Sequence, residues 1–249
     1  LDGTLFPYTT LFRSYKIGDY NRQFYYICLS KYLKMIDRTI SSLIEQRMFD
    51  GKTILLLGAR QVGKTTLLKN IQEKLKLPTL FLNADLPIIR ERLNNVGPGE
   101  LASLFGDYKM VIIDEAQRIK NVGLTIKIIH ENFPNIQLIA TGSSALELDN
   151  EINEPLTGRK WEFQLFPISW NELVLNSNLF EALDQLENRL IYGMYPTVLN
   201  QKGHEKEDLQ ELSGSYLYKD LLSYQGIRKP QILEKLLTAL AFQIGSEVS

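Results

Sequence analysis

The chain has 249 residues, of which 44% are hydrophobic, and its 28 basic and 29 acidic residues give a formal net charge of −1. These values are typical of one or two globular domains with a buried core, and the balanced charge excludes a global attraction to nucleic acid or an anionic membrane. A single cysteine, Cys28, excludes an internal disulfide framework, and no apolar run approaches the roughly 18 residues of a membrane span. We therefore expect a cytoplasmic protein without a membrane partner.

The first 34 residues differ in character from the rest of the chain. Residues 4–14 resemble the conceptual translation of a sequencing-library adapter, and residues 15–34 are rich in aromatics and lysine without a regular period. We expect residues 1–34 to be a spurious extension and Met35 to be the natural start. The alternative is an ordered helix or strand within residues 15–34.

From Met35 onward, helices and strands alternate. Apolar residues at helical spacing predict a helix over residues 37–47, followed by helices at 64–75, 86–93, 100–105 and 121–132. Short apolar runs predict strands at 54–57, 79–82, 109–114, 136–141 and 162–166. Such alternation is typical of an α/β fold in which helices cover both faces of a central parallel sheet. We expect this core to occupy residues 35–166.

After Pro167 the strand signal disappears. Periodic apolar residues predict helices at 170–175, 179–192, 205–224 and 229–244, separated by proline and glycine. We therefore place a domain boundary near Pro167 and expect a small all-helical region over residues 167–249.

The most specific motif is G-x-x-x-x-G-K-T, between the first predicted strand and the following helix; we call residues 58–65 the phosphate loop. Its glycines let successive N–H groups turn toward phosphate oxygens, and the helix N-terminus adds its positive dipole end. Lys64 would reach the β- and γ-phosphates, and the Thr65 hydroxyl would bind Mg²⁺. The predicted nucleotide-binding residues are Gly58, Ala59, Arg60, Gln61, Val62, Gly63, Lys64, Thr65 and Thr66.

A second motif, Asp114-Glu115, follows the apolar run of the third predicted strand. Asp114 would bind Mg²⁺ through its water shell, and Glu115 could orient and deprotonate an attacking water. The simpler alternative is a solvated acidic turn. In an alternating α/β chain, about fifty residues after a phosphate loop, we favour the catalytic interpretation.

Two weaker candidates follow the fourth predicted strand. Ser143, in Thr-Gly-Ser-Ser, could contact the γ-phosphate or the attacking water, unless the segment is an ordinary turn. Arg159 precedes the fifth predicted strand and could neutralise charge on the γ-phosphate, either in its own chain or from a neighbour. A surface salt bridge is the alternative for Arg159.

Taken together, the runs GARQVGKTTLL, VIIDEAQRI, LIATGSS and LTGRKWEFQLFPISWNEL resemble the AAA-type ATPases of bacteria and archaea that carry an uncharacterised C-terminal domain. The resemblance implies a P-loop NTPase core of three α/β/α layers with ATP and Mg²⁺ as ligands. It also implies that Lys64 and Thr65 bind phosphate and Mg²⁺, that Asp114 binds Mg²⁺ and that Glu115 activates water. Ser143 matches the family's polar sensor position, and Arg159 matches the arginine of its Gly-Arg block.

Members of this family continue beyond a sequence like residues 242–249 into a winged helix and a further nuclease-like domain. The resemblance therefore implies a fragment in which residues 167–249 are a helical lid and the truncated start of the winged helix. Homo-oligomers, and DNA or protein partners bound through the missing part, are expected on the same ground.

Two functions remain open at this point: an ATPase that drives conformational change in attached domains, and a nucleotide-gated switch with little turnover. Other phosphate-loop classes fit less well. A GTPase should contain an Asn-Lys-x-Asp segment, and an ABC transporter ATPase should contain Leu-Ser-Gly-Gly-Gln before the Asp-Glu strand; neither occurs.

Overall fold

In a computed structural model, the described parts of the chain are residues 36–143, 156–201, 203–214 and 230–243. The chain divides into two compact units, Leu1–Ile36 and Asp37–Ser249, and the architecture below is that of the second. The interpretations made for residues 1–34 lie outside the described residues. The same holds for the parts of the predicted helices that run through residues 215–229 and 244.

The centre of the fold is a five-stranded sheet in the order β2-β3-β4-β1-β5. Every strand pair is parallel, as the alternation of strands and helices predicted. The strands are β1 (Thr53–Leu57), β2 (Thr79–Asn83), β3 (Met110–Asp114), β4 (Gln137–Gly142) and β5 (Lys160–Gln164). The prediction for β5 is two residues too late, because the ladder with β1 already begins at the pair Thr53–Lys160.

Helices cover both faces of this sheet. In chain order, the helices of the core are α1 (Ile40–Gln46), α2 (Lys64–Leu75), α3 (Pro87–Leu93), α4 (Pro98–Phe105) and α5 (Val122–Asn132), with a 3₁₀ turn at Ala116–Arg118. Helix α2 begins directly after Gly63, whose φ of 102° is readily adopted only by glycine. It ends at Leu75, and the C-cap residue that follows, Lys76, has a left-handed backbone. The predicted three-layer α/β/α core is therefore confirmed.

Successive strand residues point alternately into two buried clusters, one on each face of the sheet. Because both faces are covered, every residue of β1, β3 and β4 is buried, which explains the nearly continuous apolar sequences of β1 and β3. One cluster includes Leu55, Leu57, Val111, Ile113, Leu138 and Ala140, and packs against α3, α4 and α5. The other includes Ile54, Leu56, Met110, Ile112 and Ile139, and packs against α1 and α2.

Beyond β5 the regular elements of the described residues are all helices, as predicted. They are α6 (Trp170–Asn176), α7 (Leu179–Asp184), α8 (Leu186–Tyr192), α9 (Pro196–Asn200), α10 (Glu205–Leu212) and α11 (Pro230–Phe242). The prediction of a single helix over residues 179–192 is wrong. The helix is interrupted at Gln185, whose N–H donates to the carbonyl of Ala182, three residues back. Among the described residues, no helix is both long enough and apolar enough to cross a bilayer.

Candidate functional site

The predicted site residues that follow β1, β3 and β4 meet at the carboxyl edge of the sheet. Strand β4 lies between β1 and β3, so Gly58, Glu115 and Ser143 follow three neighbouring strands. In open parallel sheets this edge is where ligands bind.

The main chain of the phosphate loop is fixed at its first glycine. The Gly58 N–H donates to the carbonyl of Gly142 at 3.2 Å, which ties the loop to the end of β4. A Cβ on Gly58 would lie 2.4 Å from the carbonyl oxygen of Leu165, so no side chain fits without a shift of the backbone. At the other end of the loop, the N-cap residue of α2 is Gly63, which has no side chain to cap the helix. Exposed N–H groups at such a terminus can bind an anion.

Lys64 is the first residue of α2, and its side chain is buried inside the loop. Its ammonium donates hydrogen bonds to the carbonyl oxygens of Gly58 at 2.8 Å and Ala59 at 3.1 Å. The same nitrogen lies 3.9 Å from Oε1 of Glu115. The structure therefore brings the predicted phosphate-binding cation next to the predicted catalytic carboxylate.

Asp114 joins the loop to β4 through two hydroxyl groups. The Thr65 hydroxyl donates to Oδ2 of Asp114 at 2.7 Å, and the Thr141 hydroxyl donates to Oδ1 at 2.5 Å. Thr141 also accepts a hydrogen bond from the N–H of Glu115 at 3.0 Å. Asp114 is only 4% exposed, so these bonds fix the direction of its carboxylate. The sequence interpretation missed Thr141; a threonine near the end of a buried strand was the available signal.

Glu115 and Ser143 are connected by a residue that the sequence interpretation did not select. The side-chain amide of Gln117 donates to Oε2 of Glu115 at 2.7 Å and to Oγ of Ser143 at 3.1 Å. Glu115 itself has a left-handed backbone (φ 54°, ψ 44°), which is uncommon for a non-glycine residue and recurs at functional sites. The predicted sensor residue and the predicted base therefore lie in one hydrogen-bonded cluster.

The other predicted loop residues differ in exposure. Val62 is buried, whereas Ala59, Gln61 and Thr66 are exposed and Arg60 is partly buried. Gln61 is left-handed, with φ 58°.

Arg159 is not brought to the phosphate loop. It precedes β5, at the amino edge of the sheet, where its carbonyl accepts a hydrogen bond from the N–H of Thr53. Its guanidinium lies 3.5 Å from a carboxylate oxygen of Glu131 at the end of α5. The predicted contact between Arg159 and a phosphate bound by the same chain is therefore wrong, because the length of the sheet separates Arg159 from the phosphate loop.

Two family models match the chain. One, described as an AAA domain, matches residues 50–174, and the other, a domain of unknown function (DUF8612), matches residues 183–249. An uncharacterized protein of Haemophilus influenzae is 24% identical over an alignment of 218 positions, and the match covers 78% of this chain and 52% of the relative. The chain thus spans about half the length of the curated relative that it matches.

Solved structures that match the chain include a Walker-type ATPase of Pyrococcus abyssi, with a TM-score of 0.49 and 17% identity. That alignment covers 84% of this chain and 75% of the other. A structure of Drosophila ORC bound to DNA has a TM-score of 0.40 and 17% identity, and covers 57% of this chain and 97% of the other.

Proposed function

The chain belongs to the AAA domain family, and on this premise we propose that it binds ATP with Mg²⁺ at the carboxyl edge of the sheet and hydrolyses the ATP to ADP and phosphate. The observation that carries the proposal is the 2.7 Å hydrogen bond between the Thr65 hydroxyl and the Asp114 carboxylate. It joins the two side chains that the motifs separately assign to one magnesium ion.

The residues present fit such an ion. A hydroxyl and a buried carboxylate are hard oxygen donors, and Mg²⁺ in nucleotide sites uses one or two carboxylates together with waters and phosphate oxygens. A bound Mg²⁺ would supply charge neutralisation between the β- and γ-phosphates. Thr141 supports the same site, because its hydrogen bond holds the second carboxylate oxygen of Asp114.

Lys64 binds the phosphates in this proposal. Its ammonium already occupies an oxygen-lined position, with the carbonyls of Gly58 and Ala59 as acceptors. On nucleotide binding, we propose that Lys64 exchanges these neutral acceptors for charged phosphate oxygens, which form stronger hydrogen bonds. The N–H groups of residues 59–66 contribute the rest of the phosphate contacts.

Glu115 acts as the general base and removes a proton from the attacking water. Gln117 holds its carboxylate and links it to Ser143, whose hydroxyl is proposed to contact the γ-phosphate or the water. General-base catalysis contributes about 10²–10⁴-fold in rate, so these contacts have a measurable consequence. We further propose that turnover occurs in the cytoplasm and moves attached domains, which contact DNA or a protein partner.

Arg159 is proposed to act on nucleotide bound by a neighbouring copy of the chain. The geometry that supports this is its position at the amino edge, where 43% of its side chain is exposed. The test mixes two variants, Lys64→Ala, which lacks its own site, and Arg159→Ala, which lacks the arginine. Activity of the mixture above the sum of the separate variants supports action between copies, and additive activity contradicts it. Arg92→Ala, an exposed arginine on α3, is the matched control.

The main experiment measures Mg–ATP binding by calorimetry and phosphate release by a coupled assay. Lys64→Ala should lose binding, whereas Lys69→Ala, an exposed lysine on the same helix, should bind like the parent. Glu115→Gln should retain binding while its turnover falls by about 10²-fold or more. Unchanged binding in Lys64→Ala contradicts the proposed site. Binding without turnover above that of Glu115→Gln favours the nucleotide-gated switch.

A further inference from the structure

We propose that Arg38 is a positioning residue that orients the Val62–Gly63 peptide of the phosphate loop and, through Glu172, couples that peptide to α6. The inference rests on the proposed function, because the peptide matters only if the loop binds phosphate. Arg38 lies outside every motif discussed above and precedes α1.

The first observation is the contact between Arg38 and the loop. Nη1 of Arg38 donates to the carbonyl oxygen of Val62 at 3.1 Å. In a planar trans peptide the C=O and the following N–H point in opposite directions. Arg38 therefore holds the Val62 carbonyl pointing toward itself, and the Gly63 N–H points away from Arg38. Because a hydrogen bond to the carbonyl polarises the peptide, the Gly63 N–H also becomes a stronger donor.

The second observation is that the guanidinium of Arg38 joins three parts of the chain. Besides Val62, it donates through Nη2 to the carbonyl of Phe166 at 2.5 Å and through Nε to Oε1 of Glu172 at 3.2 Å. Only 7% of the Arg38 side chain and 5% of the Glu172 side chain are exposed. A planar fork with donors in several directions can satisfy all three acceptors, whereas a lysine ammonium cannot match this geometry.

The third observation is that Glu172 is itself held rigidly. Its Oε1 accepts hydrogen bonds from the N–H of Thr39 at 2.8 Å and from the hydroxyl of Thr39 at 3.2 Å. Its Oε2 accepts from the N–H of Ser169 at 2.9 Å, which closes the N-terminal cap of α6. Burial raises the pKa of the Glu172 carboxyl. The backbone hydrogen bonds from Ser169 and Thr39, together with Arg38, lower the pKa by more, so it lies below its usual value.

The far end of α6 is attached to the same segment. Asn176 accepts a hydrogen bond from the N–H of Asp37 at 2.7 Å and donates one to the carbonyl of Asp37 at 3.0 Å. Helix α6 is thus bonded at both ends to residues 37–39, and Arg38 in the middle of that segment contacts the loop. A change in the Val62–Gly63 peptide is therefore transmitted to α6. By thermodynamic linkage, a shift of α6 changes the affinity for nucleotide by the same free energy with which nucleotide binding favours that shift.

The test compares Arg38→Met, Arg38→Lys and Glu172→Gln for Mg–ATP affinity by calorimetry. Loss of one charge-assisted hydrogen bond should weaken affinity about 10-fold in Arg38→Met, with partial recovery in Arg38→Lys. The matched control is Arg47→Met, which removes an arginine directly after α1 that packs over a tryptophan ring 4.4 Å away. It should bind like the parent.

The double variant Arg38→Met/Glu172→Gln separates positioning from general stability. If Glu172 acts through Arg38, the double variant binds nucleotide no more weakly than Arg38→Met, although its melting temperature is lower. Additive losses of affinity contradict the inference. So does unchanged affinity of the folded Arg38 variants, even where they are less stable.

Hydrogen exchange gives a readout that stability alone does not change. In the parent, Mg–ATP should alter the protection of the amides of Trp170–Asn176, and this response should be lost in Glu172→Gln. An identical response in the two proteins overturns the coupling. If Lys64→Ala binds ATP like the parent, the proposed function fails. If Lys64→Ala loses binding while Arg38→Met and Arg38→Lys do not, only this inference fails.

Discussion

Replacing Thr141 with valine should destabilise the protein although valine has the same shape and is more hydrophobic. Thr141 is completely buried, donates to the Asp114 carboxylate at 2.5 Å and accepts from the Glu115 N–H at 3.0 Å. Loss of a hydrogen bond to a charged group costs about 1.5–3 kcal/mol, and an unpaired buried N–H costs about 1–3 kcal/mol. The added methyl group recovers about 0.8 kcal/mol. We therefore expect a net loss of about 2–5 kcal/mol.

Thr141→Ser provides the matched control. Serine keeps both hydrogen bonds and loses one buried methyl group, which should cost about 1 kcal/mol. Urea denaturation of the two variants and the parent gives the free energies of unfolding. Packing volume alone predicts that valine is better tolerated than serine, whereas the hydrogen bonds predict the opposite order. A valine variant as stable as the serine variant would show that the contacts of Thr141 contribute little.

Three further outcomes follow from the described contacts. Gly58→Ala should lower the free energy of unfolding, measured by thermal denaturation, by about 1–3 kcal/mol, because the new Cβ would lie 2.4 Å from the Leu165 carbonyl oxygen. In the control Gly99→Ala, on α4, the new Cβ has no atom within 4 Å, so the stability should be unchanged or higher. Gln117→Leu should lower ATP turnover by up to about 100-fold with little change in ATP affinity, since the carboxylate that it holds becomes misoriented; unchanged turnover in a phosphate-release assay would contradict this. The lowered pKa of Glu172 means that its carboxylate stabilises the folded state above the ordinary pKa of 4.5 and loses this effect as the pH falls through the folded value. The difference in unfolding free energy between the parent and Glu172→Gln should therefore shrink from pH 7 to pH 3, and a constant difference would refute the assignment.

The core was predictable because its signals are local. The apolar run of β1, the glycines of the loop and the periodicity of α2 lie within one stretch of sequence, and α2 has the predicted bounds, Lys64–Leu75. Strand β3 could be located in the same way, since a strand buried on both faces is apolar at nearly every position. The place of Asp114 at the carboxyl edge of the sheet then follows, because Asp114 is the last residue of that strand.

Most contacts that hold the site together could not be predicted, because they join residues that are distant in the sequence. Thr141 is 27 positions from Asp114, and Arg38 is 134 positions from Glu172. No periodicity within a single element indicates such pairs. Gln117 is only two residues from Glu115, but its function depends on a left-handed turn that brings it against β4.

The position of Arg159, in contrast, follows from topology once β5 is known to be parallel to β1. Arg159 immediately precedes Lys160, which pairs with Thr53 at the start of β1, whereas Gly58 follows the pair Leu57–Gln164 at the other end. Five residues at a rise of about 3.3 Å per residue separate the two edges by roughly 16 Å, which is farther than a side chain extends. A direct contact of Arg159 with the nucleotide, as proposed above, therefore requires a second copy of the chain. One copy of the chain supplies all three of the proposed phosphate and Mg²⁺ ligands Lys64, Thr65 and Asp114, so nucleotide binding should not require a second copy. The rate of hydrolysis per copy should therefore rise with protein concentration, whereas the affinity for nucleotide should not change.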